Sequence, residues 1–230
     1  MSIAENLERV TSSVREAELK AGRKPGSVEL LAVSKFNPAE SVLAALRAGQ
    51  CLFGENRVQE ARDKFEGLLI DYPDLRLHLI GTLQRNKVRQ ILPLVECVES
   101  VDRVELLSEI GKRAAESKRK IDVLFEFHTG EESKAGFPDE SSLWKAIDLL
   151  DGMEYVRCRG LMTMAPWSTD TKAVRASFRA LAAMGEACSR RYPNLDFSTL
   201  SMGMSGDYRI AIEEGSTLVR IGTAIFGERT

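Results

Sequence analysis

The feature that most constrains this chain is an alternation. Short apolar runs of strand length, predicted at residues 28–34, 51–54, 76–80, 95–101, 121–127, 155–162, 198–202 and 217–221, are each followed by helical signals. The first run leads into Asn37-Pro38-x-Glu40, a cap, a proline suited to a first helical turn and an acidic partner, and its helix reaches Gly49. Asn56 and Gln59 are placed to cap the second helix, running to about Leu69. Further helices are predicted over 86–92, from Asp102 and Glu105 onward, over 139–150, 169–192 and 205–214, with a last turn after Gly222. Ahead of the first strand, Ser2 and Glu5 form a capping box, and Ile3, Leu7, Val10 and Val14 make one apolar stripe ending before Gly22.

Strands alternating with helices predict a parallel sheet. Eight such units in 230 residues with no linker predict an α/β fold, a single (β/α)8 TIM barrel, forming one domain over residues 1–230. A doubly wound open sheet would show Gly-x-Gly-x-x-Gly after its first strand, and Lys35 stands there instead.

Composition narrows the partners. Lys plus Arg, 32, nearly balances Asp plus Glu, 34, which gives no basic surface for nucleic acid or an anionic membrane. No stretch approaches the ~20 apolar residues of a membrane span. Glu5 and Glu8 near the start, with no apolar run around them, predict no leader and a cytoplasmic protein. Cys51, Cys97, Cys158 and Cys188 form no C-x-x-C pair, so they are expected as reduced thiols with no metal site.

In a barrel the C-terminal strand ends form the working face. Lys35 closes the first strand there, and period-two alternation groups it with Leu31 and Val33, apart from Leu30, Ala32 and Ser34. Such a lysine either reaches to the rim or, desolvated in the mouth, presents a nucleophilic amine to an aldehyde. After strands seven and eight, "LSMGMSGDY" and "VRIGTAIFG" place glycine and hydroxyl residues just before helix starts. Backbone N–H groups there bind phosphate, although the same residues serve as ordinary caps. An amine and a phosphate site together suit a ligand carrying both an aldehyde and a phosphate. Pyridoxal phosphate fits; so does a phosphorylated aldose, which keeps a lysine Schiff-base aldolase open.

The segments "LLAVSK", "FGENRVQEA", "HLIGTLQRNK", "VESVDR", "GEESKAGF", "RGLMTMAP" and "LSMGMSGDYRIAIEEGSTLVRIGTAIFG" occur in this order over essentially the whole chain. The series resembles the pyridoxal phosphate homeostasis protein family, also called YggS-type or proline synthase co-transcribed proteins. The resemblance implies a barrel like the N-terminal domain of alanine racemase, with pyridoxal phosphate held as an aldimine on Lys35. It further implies Ser205, Gly222 and Thr223 at the phosphate, Arg220 facing the pyridine nitrogen and Asn56 near the cofactor. Phe36-Asn37 after the lysine and Thr82 in "GTLQ" depart from the commoner threonine-lysine and histidine, which bears on the shape of the mouth.

Arginine opposite the ring nitrogen stays cationic and only donates, so the ring is a weak electron sink. A racemase also needs an opposing base, which alanine racemases draw from a second domain not expected here. The expectation is therefore a non-catalytic carrier or regulator of pyridoxal phosphate. It is expected to be monomeric, to release the group by exchange with another amine, and to touch pyridoxal phosphate-dependent apoenzymes transiently. A racemase-like enzyme of the same fold is the alternative. Lys134, in the loop after strand five, is a candidate second amine; His128 and Tyr208 are candidate bases. His78 either faces the cofactor or is a hydrogen-bonded structural residue. Trp144 and Trp167 are expected in packing, and 117–120 as a solvated helix end.

Overall fold

A computed structural model of the chain describes residues 1–130 and 135–227. Its strands are β1 (Glu29–Val33), β2 (Leu52–Glu55), β3 (Arg76–Leu79), β4 (Cys97–Val101), β5 (Ile121–Glu126), β6 (Val156–Met162), β7 (Thr199–Ser201) and β8 (Leu218–Ile221). Each pairs in parallel with the next, and β8 returns to β1 to close the barrel. The expected (β/α)8 architecture is therefore present. The strands are near-continuous apolar runs because both faces are covered, the inner by the opposite wall and the outer by helices.

The outer layer is α1 (Ile3–Lys20), α2 (Ala39–Arg47), α3 (Val58–Asp71), α4 (Val88–Ile91), α5 (Val104–Ser117), α6 (Glu140–Asp148), α7 (Thr171–Arg191), α8 (Tyr208–Glu213) and α9 (Thr223–Phe226). The capping box at α1 forms as read, with Ser2 and Glu5 bonded reciprocally at 2.7 and 3.2 Å. Its stripe of Leu7, Val10, Val14 and Ala17 is buried, and the helix packs against α2, α8 and α9. Alternation sorts β1 as expected. Ala32 joins the core between sheet and helices, whereas Leu31 and Val33 form an inner plug with Leu52, Leu218 and Ile80.

Several local expectations are corrected. Asn37 does not cap α2, whose N-cap is Pro38; its side chain instead donates to the Lys35 carbonyl at 3.0 Å. Asn56 does not cap α3 either, because the chain stays extended through Arg57, which takes the N-cap position. Ser117, Lys118 and Lys120 are exposed as expected, but Arg119 is half-buried. It turns under α4 and donates to the carbonyls of Leu92 and Val95. Trp144 stacks on Tyr192, but Trp167 is 94% exposed in the loop after β6. Cys97, Cys158 and Cys188 are buried free thiols and Cys51 an exposed one. No described helix is long and apolar enough to cross a membrane, and the described residues hold no metal-ligating cluster.

Candidate functional site

All six residues singled out in the sequence lie at the C-terminal strand ends. Lys35 is half-buried in the turn after β1, two residues past the inner plug. The turn is braced from behind. Lys64 of α3 donates to the Ser34 carbonyl at 2.8 Å and to Glu55 Oε1 at 2.6 Å, and the Ser34 hydroxyl donates to the same carboxylate oxygen at 2.7 Å. Phe36 takes a left-handed backbone, φ 65°, with its ring under the Arg57 guanidinium and its N–H 3.3 Å from Glu60 Oε2. Burial drives the Glu55 carboxyl above its ordinary range, and the facing Glu60 carboxyl adds to this. Lys64 and Ser34 only partly offset it. Glu55 Oε2 is buried without a hydrogen-bond partner.

Asn56 is half-buried just past β2. Ser205 lies in the turn between β7 and α8, where Asp207 accepts from the Met204 N–H at 2.6 Å. The helix expected from Ser205 begins only at Tyr208. Gly222 and Thr223 form the junction of β8 and α9. A Cβ on Gly222 would sit 3.0 Å from the Val33 carbonyl oxygen and 3.3 Å from its Cβ. Glycine thus lets this turn press onto the strand carrying Lys35.

Arg220 lies inside the barrel, 4% exposed. Its NH1 donates to the carbonyl and hydroxyl of Ser201 at 2.7 and 2.6 Å, and its NH2 to the Thr163 carbonyl at 2.8 Å. Burial lowers its pKa, while Glu99, Glu126 and Asp207 act the other way. Its backbone N–H donates to the Gly203 carbonyl at 2.9 Å, tying the arginine to the Ser205 loop.

The sequence reading passed over two interior residues. Glu99 on β4 is fully buried and accepts from His78 Nδ1 at 2.7 Å and from the Ser201 hydroxyl at 2.6 Å. Burial opposes its ionisation, but His78, Arg220 and Ser201 outweigh that and hold its carboxyl below the usual range. Glu126, at the inward end of β5, is 3% exposed. Desolvation, with Asp102 nearby, pushes it up to about 7 despite Arg220. The available signal was a carboxylate set among apolar residues in each of two strands, "CVESV" and "VLFEF".

His78 is thus the hydrogen-bonded interior residue of the two readings. Tyr208 is withdrawn as a base, since its hydroxyl donates to Ser13 at 2.8 Å against α1. Lys134 lies outside the described residues. A cavity of about 740 Å3 opens between α1 and the starts of β1 and β2, at the opposite end from this constellation.

Parallel strands closed into a barrel, with a lysine and glycine turns at one rim, define a class that the comparisons specify. The family described as "Alanine racemase, N-terminal domain" matches residues 6–230. The chain belongs to that class and, within it, to the pyridoxal phosphate homeostasis protein family. The Vibrio alginolyticus member is 41% identical over 99% of this chain and 98% of its own length. PipY of Synechococcus elongatus, solved with pyridoxal phosphate bound, is 36% identical with a TM-score of 0.87, covering 98% of this chain and all of PipY. Alanine racemase of Clostridium difficile, at 14% identity and a TM-score of 0.74 over 88% of this chain and 55% of its own, shares the fold.

Proposed function

We propose that this chain binds pyridoxal phosphate at the Lys35 end of the barrel and serves the homeostasis of that cofactor as a carrier. Bound there, pyridoxal phosphate supplies a reactive aldehyde that an amine captures with loss of water. The observation that carries the reading is the placement of Arg220. It is a buried cationic donor at the end of the barrel that also presents Lys35 and the Gly222–Thr223 turn. The donor set suits the group. Arg220 offers N–H to an unprotonated ring nitrogen, and hydroxyls of Ser205 and Thr223 flank helix starts suited to phosphate. The space at Gly222 would be lost to any side chain. Lys35 supplies the capturing amine, and Asn56 borders the mouth. A second amine then displaces Lys35, and the cofactor passes to a pyridoxal phosphate-dependent apoenzyme in transient contact. Lys134 is proposed as a way-station.

Borohydride reduction followed by peptide mass mapping tests the attachment. The pyridoxyl group is expected on the Lys35 peptide, and stoichiometric label elsewhere with Lys35 unmodified would refute it.

A second reading, slow racemase-like chemistry, is favoured by Glu126, whose pKa of about 7 suits a general base. Against it, Arg220 leaves the ring nitrogen unprotonated. Incubation with L- and D-amino acids in deuterated water decides the matter. Exchange at the α-carbon of about 1 s⁻¹ or faster would promote the enzyme, and slower exchange the carrier.

A further inference from the structure

We infer that Glu99, clamped by His78 and coupled through the Ser201 hydroxyl, is the positioning residue that keeps Arg220 aimed at the cofactor ring nitrogen. The inference rests on the reading above that Arg220 faces that nitrogen.

Four strands contribute to one buried column: His78 from β3, Glu99 from β4, Ser201 from β7 and Arg220 from β8. Each side chain in it is less than 10% exposed. The direction of its hydrogen bonds follows from donor counts. Glu99 is held ionised, so both its oxygens accept. His78 therefore carries its proton on Nδ1 and donates to Oε1. Ser201 has one O–H, and it donates to Oε2. Its oxygen then has only lone pairs to offer, and Arg220 NH1 donates to them at 2.6 Å. A hydroxyl used in this way is locked by the carboxylate with its lone pairs toward the guanidinium, whose NH1 is 4.0 Å from Glu99 Oε2.

The division of labour follows. The carbonyls of Ser201 and Thr163 fix the plane of the guanidinium through NH1 and NH2, but they are neutral. Burial works against its charge, and Glu99 is the foremost opposing influence. His78 keeps Glu99 ionised and prevents its rotation away from Ser201. The column thus does for a ring-binding arginine what outer hydrogen-bond partners do for metal-ligating histidines: it fixes orientation.

The test uses full-length protein and two ligands. One is pyridoxal phosphate; the other is its carbocyclic analogue, in which carbon replaces the ring nitrogen. Dissociation constants for both are measured by equilibrium dialysis on the wild type, Glu99→Gln, Ser201→Ala and Arg220→Met, with thermal melting of each ligand-free protein as a fold check. The wild type is expected to prefer pyridoxal phosphate. Glu99→Gln and Ser201→Ala are expected to shrink that preference about ten- to a hundredfold, the range seen when outer partners of a ligating group are removed. Ser201→Ala deletes a single oxygen and keeps the test alive if Glu99→Gln does not fold. A merely structural role would weaken both ligands alike and leave the ratio unchanged, which overturns the inference. If Arg220→Met also leaves the ratio unchanged, the assignment of Arg220 to the ring nitrogen is itself wrong, and the inference falls with it.

Discussion

Glu99 inside the barrel and Glu55 behind the Lys35 turn are both 0% exposed, yet their carboxyls are driven in opposite directions. Glu99 receives a donor on each oxygen. Glu55 receives both of its donors, Lys64 and Ser34, on Oε1, while Oε2 has none and faces the influence of Glu60. Burial is the same in both places, so it does not decide the charge state. The distribution of donors over the two oxygens does. The inner column is a finished polar network, and the outer brace stays short of one hydrogen bond.

The comparison breaks most visibly at Lys64. Lys64→Met strands Glu55 without its cation and should cost about 3–5 kcal/mol in urea unfolding at neutral pH, the usual range for one half of a buried pair. Because the loss comes from an uncompensated carboxylate, it should shrink as pH falls and Glu55 takes a proton. A penalty independent of pH would mean that lost packing, and not charge, is being measured.

Glu126 extends the comparison to a third buried carboxyl. Its folded pKa of about 7 lies above the ordinary 4.5, so folding takes up a proton between those values. The linked stabilisation is complete below the ordinary value and lost as pH rises through about 7. At about 1.4 kcal/mol per unit, the swing is about 3 kcal/mol between acid and alkaline limits. Stability of the wild type relative to Glu126→Gln should fall by that amount from pH 4 to pH 9 in paired denaturant titrations. Parallel curves would place the carboxyl in water.

The two glutamates themselves should separate more modestly. Glu99→Gln removes charge from a fully bonded carboxylate and is expected to cost about 2–3 kcal/mol, against about 1 kcal/mol for Glu55→Gln, whose Oε2 has no hydrogen-bond partner to lose. Equal costs would show that donor distribution is not what distinguishes them.

The smallest effect concerns the turn that the brace supports. Phe36 bears a left-handed backbone that costs a residue with a Cβ about 1–2 kcal/mol, offset by about 0.5–1 kcal/mol from the Arg57 contact. Phe36→Gly should therefore stabilise slightly, by less than about 1 kcal/mol, in thermal unfolding.

What the sequence disclosed, and what it hid, follows from the range of the interactions. The barrel was legible because strand–helix alternation and inward–outward parity are local, and Leu31, Ala32 and Val33 sort as their spacing requires. The lysine and the glycine turns were legible because each sits at a strand end. Glu99 was not. Its partners lie 21 residues away at His78, brought beside it by β3–β4 pairing, and 102 residues away at Ser201, brought near only by the closed barrel. Asn37 and Asn56 misled for the same reason on a smaller scale. A short polar side chain ahead of a helix has several acceptors within reach, and the turn geometry chooses among them. Trp167 shows that an aromatic residue in a polar loop need not join the core.

The 2.9 Å bond from the Arg220 N–H to the Gly203 carbonyl has a consequence for how a ligand with two ends is gripped. The strand that would meet the ring and the loop that would meet the phosphate share one backbone tie. They form a single stiff jaw, so the rotational and translational freedom lost on capture is surrendered once, and the second contact then forms at high effective concentration. Linkage makes the arrangement reciprocal: a phosphate settling in the loop steadies the arginine, and a ring settling on the arginine steadies the loop by the same free energy. The intact ligand should therefore hold far more tightly than the product of the separate affinities of its two fragments would suggest, and a transfer that frees one end loosens the other.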